Sequence, residues 1–239
     1  TVPRLPLEIL VAQTQGQIGY MIESTLDEAL MAMGINTQPL VSLISYVVVD
    51  ENDQGFQNPT KPIGPFYTEA EAEGLSYTLT KTDKGLRRVV ASPKPLAIVE
   101  HREIKKLIEM DFIVICCGGG GIPVIRKNRK FRGVEAVIDK DLASSVLAQE
   151  IKADIFVIAS DVEGAAINWG SADQKMLRKV PLTEMENYVQ QGQFPAGSMG
   201  PKVDAVMQFT AATGNRGVIC QLSDIEKAIA GEAGTEIIK

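Results

Sequence analysis

The chain has 239 residues, of which 45% are hydrophobic and 23% are charged, with a formal net charge of −6 and a pI of about 5.0. This composition is typical of a globular protein with a sizeable core. The acidic balance argues against a nucleic-acid surface, which needs clustered Lys and Arg, and no apolar run reaches transmembrane length. We therefore expect neither a nucleic-acid partner nor a membrane partner.

Cysteine and histidine usage narrows the chemistry further. Cys116 and Cys117 are adjacent and Cys220 stands apart, so the spacing supports neither a disulfide framework nor a Cys-x-x-Cys metal site. His101 is the only histidine, which excludes a His-rich zinc site. A Ser-His-Asp triad could be built only around His101. We expect a cytoplasmic protein with no metal ligands of its own.

The first regular pattern is a helix predicted over residues 12–33, where apolar residues recur every three or four positions. Gly16 and Gly19 fall in its first turns, where helix propensity disfavours them. Two explanations stay open: the glycines admit a close backbone from a second helix or a partner subunit, or the start of the helix is frayed. A strand is predicted next, over residues 39–49.

Residues 50–100 differ in character, being polar and rich in loop-forming residues. Residues 75–80 and 86–90 predict a short hairpin around Asp83-Lys84-Gly85. We interpret the whole stretch as a small lobe inserted into the sheet, and such excursions commonly act as lids.

Four consecutive glycines form the most unusual stretch of the sequence: Gly118, Gly119, Gly120 and Gly121. They directly follow residues 112–117, an apolar run typical of a buried parallel strand. A backbone without Cβ atoms can close its N–H groups on a small anion, although a flexible surface turn is the alternative. The position after a buried strand favours the anion site, because open α/β sheets bind ligands at the carboxyl ends of strands.

The second half of the chain alternates helices and strands. We predict strands over residues 154–160 and 217–221, and helices over residues 139–152, 182–190, 203–212 and 224–230. This alternation predicts an α/β fold with a largely parallel sheet. The basic residues 127–130 are interpreted as a solvated hairpin tip.

Charged residues recur at the predicted junctions between strands and helices: Asp139, Lys140, Asp141, Asp161 and Lys202. A helix N-terminus can bind a phosphate group. Phosphoryl transfer depends on positioning the reactants and on positive charges that stabilise the negative charge of the transferring group. Lys140 and Lys202 would supply the charge, and Asp141 could hold both ammonium groups in place. The alternatives are a plain N-cap at Asp139 and solvated lysines. The sequence contains neither a P-loop motif nor a dinucleotide fingerprint.

Several motifs lie in one order along nearly the whole chain, and through them the sequence resembles the carbamate kinases of the amino-acid kinase fold family. The matching stretches are Gln15-Gly-Gln-Ile-Gly-Tyr-Met21, Asn58-Pro-Thr-Lys-Pro-Ile-Gly-Pro-Phe-Tyr67, Arg87-Arg-Val-Val90, Ser92-Pro-Lys-Pro95, Gly118-Gly-Gly-Gly-Ile-Pro-Val124, Val134-Glu-Ala-Val-Ile-Asp-Lys-Asp-Leu-Ala143, Ser160-Asp-Val162 and Gly197-Ser-Met-Gly-Pro-Lys-Val203.

The resemblance implies a single domain over residues 1–239, a three-layer αβα sandwich with a small protruding lid lobe at about residues 50–100. It implies reversible phosphoryl transfer from ATP to carbamate, giving ADP and carbamoyl phosphate. The enzyme is then a phosphotransferase with a carboxyl-type acceptor, run towards ATP in arginine or purine-derivative breakdown. Mg²⁺ bridging the ATP phosphates and a homodimer are further expectations.

The resemblance also implies roles for individual residues. Lys140 and Lys202 would flank the phosphoryl group, Asp141 would organise them, and Lys61 on the lobe would reach over carbamoyl phosphate. The four glycines would hold the small anion. The nucleotide site would be lined by Asp161, Val162, Met199 and Gly200.

Two departures from the family pattern leave alternatives open. Family members begin with a βα unit that carries a Gly-Gly-Asn loop, which is not found before Thr1, and the segment between Glu71 and Arg87 looks shorter than the family's lobe. We expect that an N-terminal portion is missing from the sequence. The alternatives are a catalytically inactive paralogue that binds nucleotide or a partner, and another acyl-phosphate-forming kinase of the same fold.

Overall fold

A computed structural model describes residues 5–195 and 197–239. The α-helices are α1 (Leu7–Ala32), α2 (Glu69–Ala72), α3 (His101–Glu109), α4 (Lys140–Ile151), α5 (Leu182–Gln190), α6 (Met199–Thr213) and α7 (Ile225–Ala230). The strands are β1 (Leu40–Ser42), β2 (Tyr46–Val48), β3 (Lys61–Tyr67), β4 (Leu79–Thr82), β5 (Gly85–Val90), β6 (Ala97–Ile98), β7 (Ile113–Ile115), β8 (Ile122–Lys127), β9 (Lys130–Gly133), β10 (Ile155–Ser160), β11 (Ala166–Ile167), β12 (Lys175–Met176), β13 (Lys179–Pro181), β14 (Arg216–Gln221) and β15 (Thr235–Ile238).

The chain divides into two compact units between Ala143 and Ser144, within α4. In the first unit, β1 pairs in parallel with β7, and a second sheet has the order β6-β2-β8-β9. The pair β2–β8 is parallel, whereas β6 and β9 are antiparallel edge strands. The basic residues form the exposed tip of the β8–β9 hairpin, as predicted, with Asn128 and Arg129 at φ values of 51° and 62°.

The predicted lobe contains a three-stranded antiparallel sheet with the order β3-β5-β4. The expected hairpin is present as β4 and β5, but β3 was not predicted, because Pro62 and Pro65 read as loop residues. Proline is tolerated on an edge strand, where no ladder partner needs its missing N–H. A register shift between Ile63 and Phe66 accommodates the second proline.

The second unit is built on a mixed sheet with the order β10-β14-β15-β13. β10 and β14 run in parallel over six residue pairs, and β15 is antiparallel to β14. Gly217 on β14 lets α6 approach, because a Cβ there would lie 2.4 Å from Val206 Cγ1. The α/β fold class is confirmed; apart from the β8–β9 hairpin, the antiparallel pairs in the two four-stranded sheets were not predicted.

Helix α1 begins at Leu7, earlier than predicted, so the frayed-start explanation is wrong. Gly19 does permit a close approach, since a Cβ there would lie 3.0 Å from Ser42 Oγ, but the neighbour is a side chain of strand β1 and not the backbone of a second helix or of a partner subunit. Most of the apolar stripe predicted on this helix is exposed, including Met21 at 57% and Met33 at 73%. Within the described residues, no helix has both the length and the apolar character needed to span a membrane.

Candidate active site

The glycine run is a tight turn that begins where β7 ends. Cys117 has a left-handed backbone, with φ 56°, and residues Gly118–Gly120 form one 3₁₀ turn. Gly119, Gly120 and Gly121 have φ values of 68°, 104° and 82°. Because L-residues rarely adopt φ values near 100°, this path of the chain depends on glycine.

Close packing is a second reason for glycine in the run. A Cβ on Gly120 would lie 2.4 Å from the carbonyl oxygen of Ile138, and a Cβ on Gly121 would lie 2.3 Å from Val47 Cγ2. Gly119 is different, since its nearest neighbour would be 4.0 Å away. The run is therefore held between strand β2 and the residues that lead into α4.

The backbone N–H groups of the run are only partly used by the turn. Gly120 donates to the Cys117 carbonyl at 2.9 Å and Gly121 donates to the Gly118 carbonyl at 3.3 Å. Within the described chain, the N–H groups of Gly118 and Gly119 have no hydrogen-bond acceptor. Gly119 is exposed, so this pair of donors lies at the surface of the turn.

Helix α4 starts beside the run and is capped by Asp139. Its Oδ1 accepts hydrogen bonds from the N–H groups of Asp141 at 3.0 Å and Leu142 at 3.3 Å. The N-cap interpretation of Asp139 is thus confirmed. In the first turn, the exposed Lys140 Nζ lies 3.7 Å from Oδ1 of the buried Asp141.

Asp139 also binds the lysine of the lobe. Lys61, the first residue of β3, places its Nζ 2.7 Å from Asp139 Oδ2. Burial raises the pKa of the Asp139 carboxyl, but the hydrogen bond and charge of Lys61, together with the two N–H donors of α4, outweigh burial and hold the pKa below its ordinary value. The carboxylate is therefore ionised at neutral pH.

The predicted residues of the second unit lie at the end of β10 and the start of α6. Asp161 follows β10 and accepts a hydrogen bond from Ser160 Oγ at 3.1 Å. Val162 comes next and is partly buried. The boundary predicted at residue 203 is wrong, because Met199, Gly200 and Lys202 already belong to α6. Pro201 misled the prediction, since proline is tolerated in a first helical turn, where its missing N–H would be unpaired anyway.

The structure thus brings one set of predicted residues together in the first unit: Lys61, Gly118, Gly119, Gly120, Gly121, Lys140 and Asp141. Asp161, Val162, Met199, Gly200 and Lys202 belong to the second unit. Sequence reasoning missed the second role of Asp139, because Lys61 lies 78 positions away and no local pattern links the two.

The described residues contain no group of three or more His, Cys, Asp or Glu side chains that could hold a metal ion. Mg²⁺ commonly keeps several waters and is bound through substrate phosphates with one or two carboxylates.

The chain belongs to the amino acid kinase family, which matches residues 14–221. The chain matches kinases of this family along its whole length, so the protein is a kinase. Within the family, several of its relatives are carbamate kinases. The carbamate kinase of Thermococcus kodakarensis is 46% identical over 243 residues, which cover 100% of this chain and 77% of that protein.

The chain is also similar to a second curated protein and to a solved structure. A carbamate kinase-like protein of Escherichia coli is 46% identical over 98% of this chain and 77% of its own length. The structure of the carbamate kinase of Giardia lamblia bound to AMP-PNP superposes with a TM-score of 0.92 at 43% identity, covering 100% of this chain and 77% of that one.

Proposed function

We propose that the protein catalyses reversible phosphoryl transfer between ATP and carbamate, giving ADP and carbamoyl phosphate. The observation that carries this proposal is the contact between Lys61 and Asp139, which holds a lobe cation at the N-terminus of α4, beside the glycine run. The similarity to carbamate kinases along the whole chain supports the choice of substrate.

In this proposal the glycine run binds the anionic substrate. The N–H groups of Gly118 and Gly119 would donate to an oxygen of the carbamoyl or phosphoryl group, and the neighbouring helix N-terminus would favour its negative charge. Small planar anions fit such a turn because no Cβ atom stands between the ligand and the amides.

The lysines would compensate the charge that phosphoryl transfer spreads over the equatorial oxygens. Lys61 would bind the acceptor and Lys140 the transferring group, with Asp139 and Asp141 holding each ammonium in place. A carbamate oxygen attacks the γ-phosphorus of ATP while the bond between that phosphorus and the β,γ-bridging oxygen breaks, so ADP leaves. Lys202 would supply further positive charge.

Asp161, Val162, Met199 and Gly200 would line the nucleotide site. Mg²⁺ would supply positive charge on the nucleotide phosphates. We further propose that the protein acts in the cytoplasm as a homodimer.

The decisive experiment measures ATP formation by the purified protein from ADP and carbamoyl phosphate with Mg²⁺. We expect turnover with carbamoyl phosphate and little with acetyl phosphate. Preference for another acyl phosphate would instead favour a different kinase of the same fold. Binding of ADP without turnover of either compound would contradict the proposal and favour the inactive paralogue.

A further inference from the structure

A buried amide side chain on α1 binds the backbone N–H and the backbone C=O of one residue between β1 and β2. Gln15 is 4% exposed, its Nε2 donates to the Ser45 carbonyl at 3.1 Å, and its Oε1 accepts from the Ser45 N–H at 3.0 Å. The side chain thus forms the two hydrogen bonds that a neighbouring strand would form. The single strand predicted over residues 39–49 is divided into β1 and β2, and Ser45 is the last residue of the break between them.

Ser45 in turn contacts the residues on both sides of the glycine run. Its Oγ accepts from the N–H of Cys117 at 3.4 Å, immediately before the run, and its carbonyl accepts from the N–H of Ile122 at 2.9 Å, immediately after it. Ser45 is completely buried, so water does not compete for these bonds.

Helix α1 also lies directly against the run. A Cβ on Gly118 would be 3.5 Å from the Cα of Gln15, an ordinary van der Waals contact. The same residue of the helix therefore lies beside the first glycine and, through Ser45, is connected to both ends of the turn. Four glycines have many accessible conformations, so a fixed shape requires such anchors.

We propose that Gln15 and Ser45 are positioning residues that fix the two ends of the glycine run and so set the affinity for the acyl phosphate. This inference rests on the proposed function. It assigns a task to Gln15, the first residue of the motif Gln15-Gly-Gln-Ile-Gly-Tyr-Met21. The physical argument is preorganisation, because amides that are already aimed need not be ordered when the anion binds.

The test compares Gln15→Met with Gln17→Met. Methionine keeps the length of the side chain and removes both hydrogen bonds, while Gln17 is exposed two residues further along the same helix. We expect Gln15→Met to raise KM for carbamoyl phosphate tenfold or more, with KM for ADP within twofold of wild type. Gln17→Met should change neither constant.

A second readout does not depend on activity. Hydrogen exchange of the Cys117 and Ile122 amides should be at least tenfold faster in Gln15→Met than in Gln17→Met. An inactive wild type would refute the proposed function while exchange still tests the anchoring. An active enzyme whose KM for carbamoyl phosphate is unchanged in Gln15→Met would refute the inference.

If Gln15→Met does not fold, Ser45→Ala tests whether anchoring of the glycine run sets the affinity for the acyl phosphate. It removes only the hydroxyl that accepts from Cys117 and leaves the peptide contacts of Gln15 intact. We expect a threefold or larger increase in KM for carbamoyl phosphate at unchanged KM for ADP. A merely structural role would lower thermal stability and the active fraction, and would leave both KM values as in wild type.

Discussion

Lys61 and Asp139 form an ion pair with 2.7 Å between Nζ and Oδ2, although 78 positions separate them in the sequence. The pair joins the first residue of the lobe sheet to the cap of α4. Because the side chain of Asp139 is only 14% exposed, the lysine is held at the site without substrate. An incoming anion would meet a cation that is already in place.

Replacing this lysine should therefore affect substrate binding more than turnover. For Lys61→Ala we expect a tenfold or larger rise in KM for carbamoyl phosphate, because its ammonium would bind the ligand directly. Steady-state kinetics with both substrates measure the effect. Lys81→Ala is the matched control, since Lys81 is an exposed lysine of the same lobe sheet. Unchanged kinetics in Lys61→Ala would show that Lys61 does not contribute to substrate binding.

The lowered pKa of Asp139 predicts how this pair depends on pH. The folded carboxyl has a pKa below its ordinary 3.8, so the unfolded chain binds the proton more readily. The stabilisation is complete above the ordinary pKa and is lost as the pH falls through the lower folded pKa.

Asp139→Asn isolates this contribution, because asparagine also caps helices well. At pH 7 we expect wild type to be more stable by up to about 1 kcal/mol, a small value since Lys61 is partly exposed. Urea unfolding at a series of pH values should show the difference shrinking below pH 3.8. A difference that stays constant down to pH 2 would contradict the assignment.

Two adjacent glycines offer a sharp comparison within the run. Alanine at either position has a strained positive φ, but only at Gly120 would its Cβ meet a backbone oxygen, at 2.4 Å. We expect Gly119→Ala to cost about 1 kcal/mol of stability. Gly120→Ala should cost about 2 kcal/mol more, through overpacking, and should abolish turnover. Thermal unfolding and kcat/KM measure both effects; equal losses would show that contact with Ile138 is unimportant.

Much of the fold could be predicted from the sequence. Helix α5 has the predicted bounds, and the β8–β9 hairpin follows from its turn residues. These elements are specified by neighbouring residues. Strand β3 was missed because its prolines are acceptable only at the edge of a sheet, and an edge is a property of the assembled fold.

In the site, too, some features are specified by neighbouring residues and others depend on the assembled fold. The glycines and Lys140 stand out locally, whereas the partner of Lys61 and the contacts of Gln15 depend on which distant segments meet. A buried glutamine can be recognised as unusual only once its burial is known.

Lys140 and Lys202 are the two lysines assigned to the transferring phosphoryl group. In the proposed function, Lys140 and Lys202 stabilise charge that develops only in the transition state, so their loss should lower kcat with little change in KM. We expect Lys140→Ala and Lys202→Ala each to reduce kcat a hundredfold or more, on the order of 3 kcal/mol. Lys106→Ala, at an exposed position of α3, serves as control and should keep wild-type kcat. Thermal unfolding of each variant separates lost chemistry from lost structure, and near-normal kcat in both lysine variants would refute their assignment.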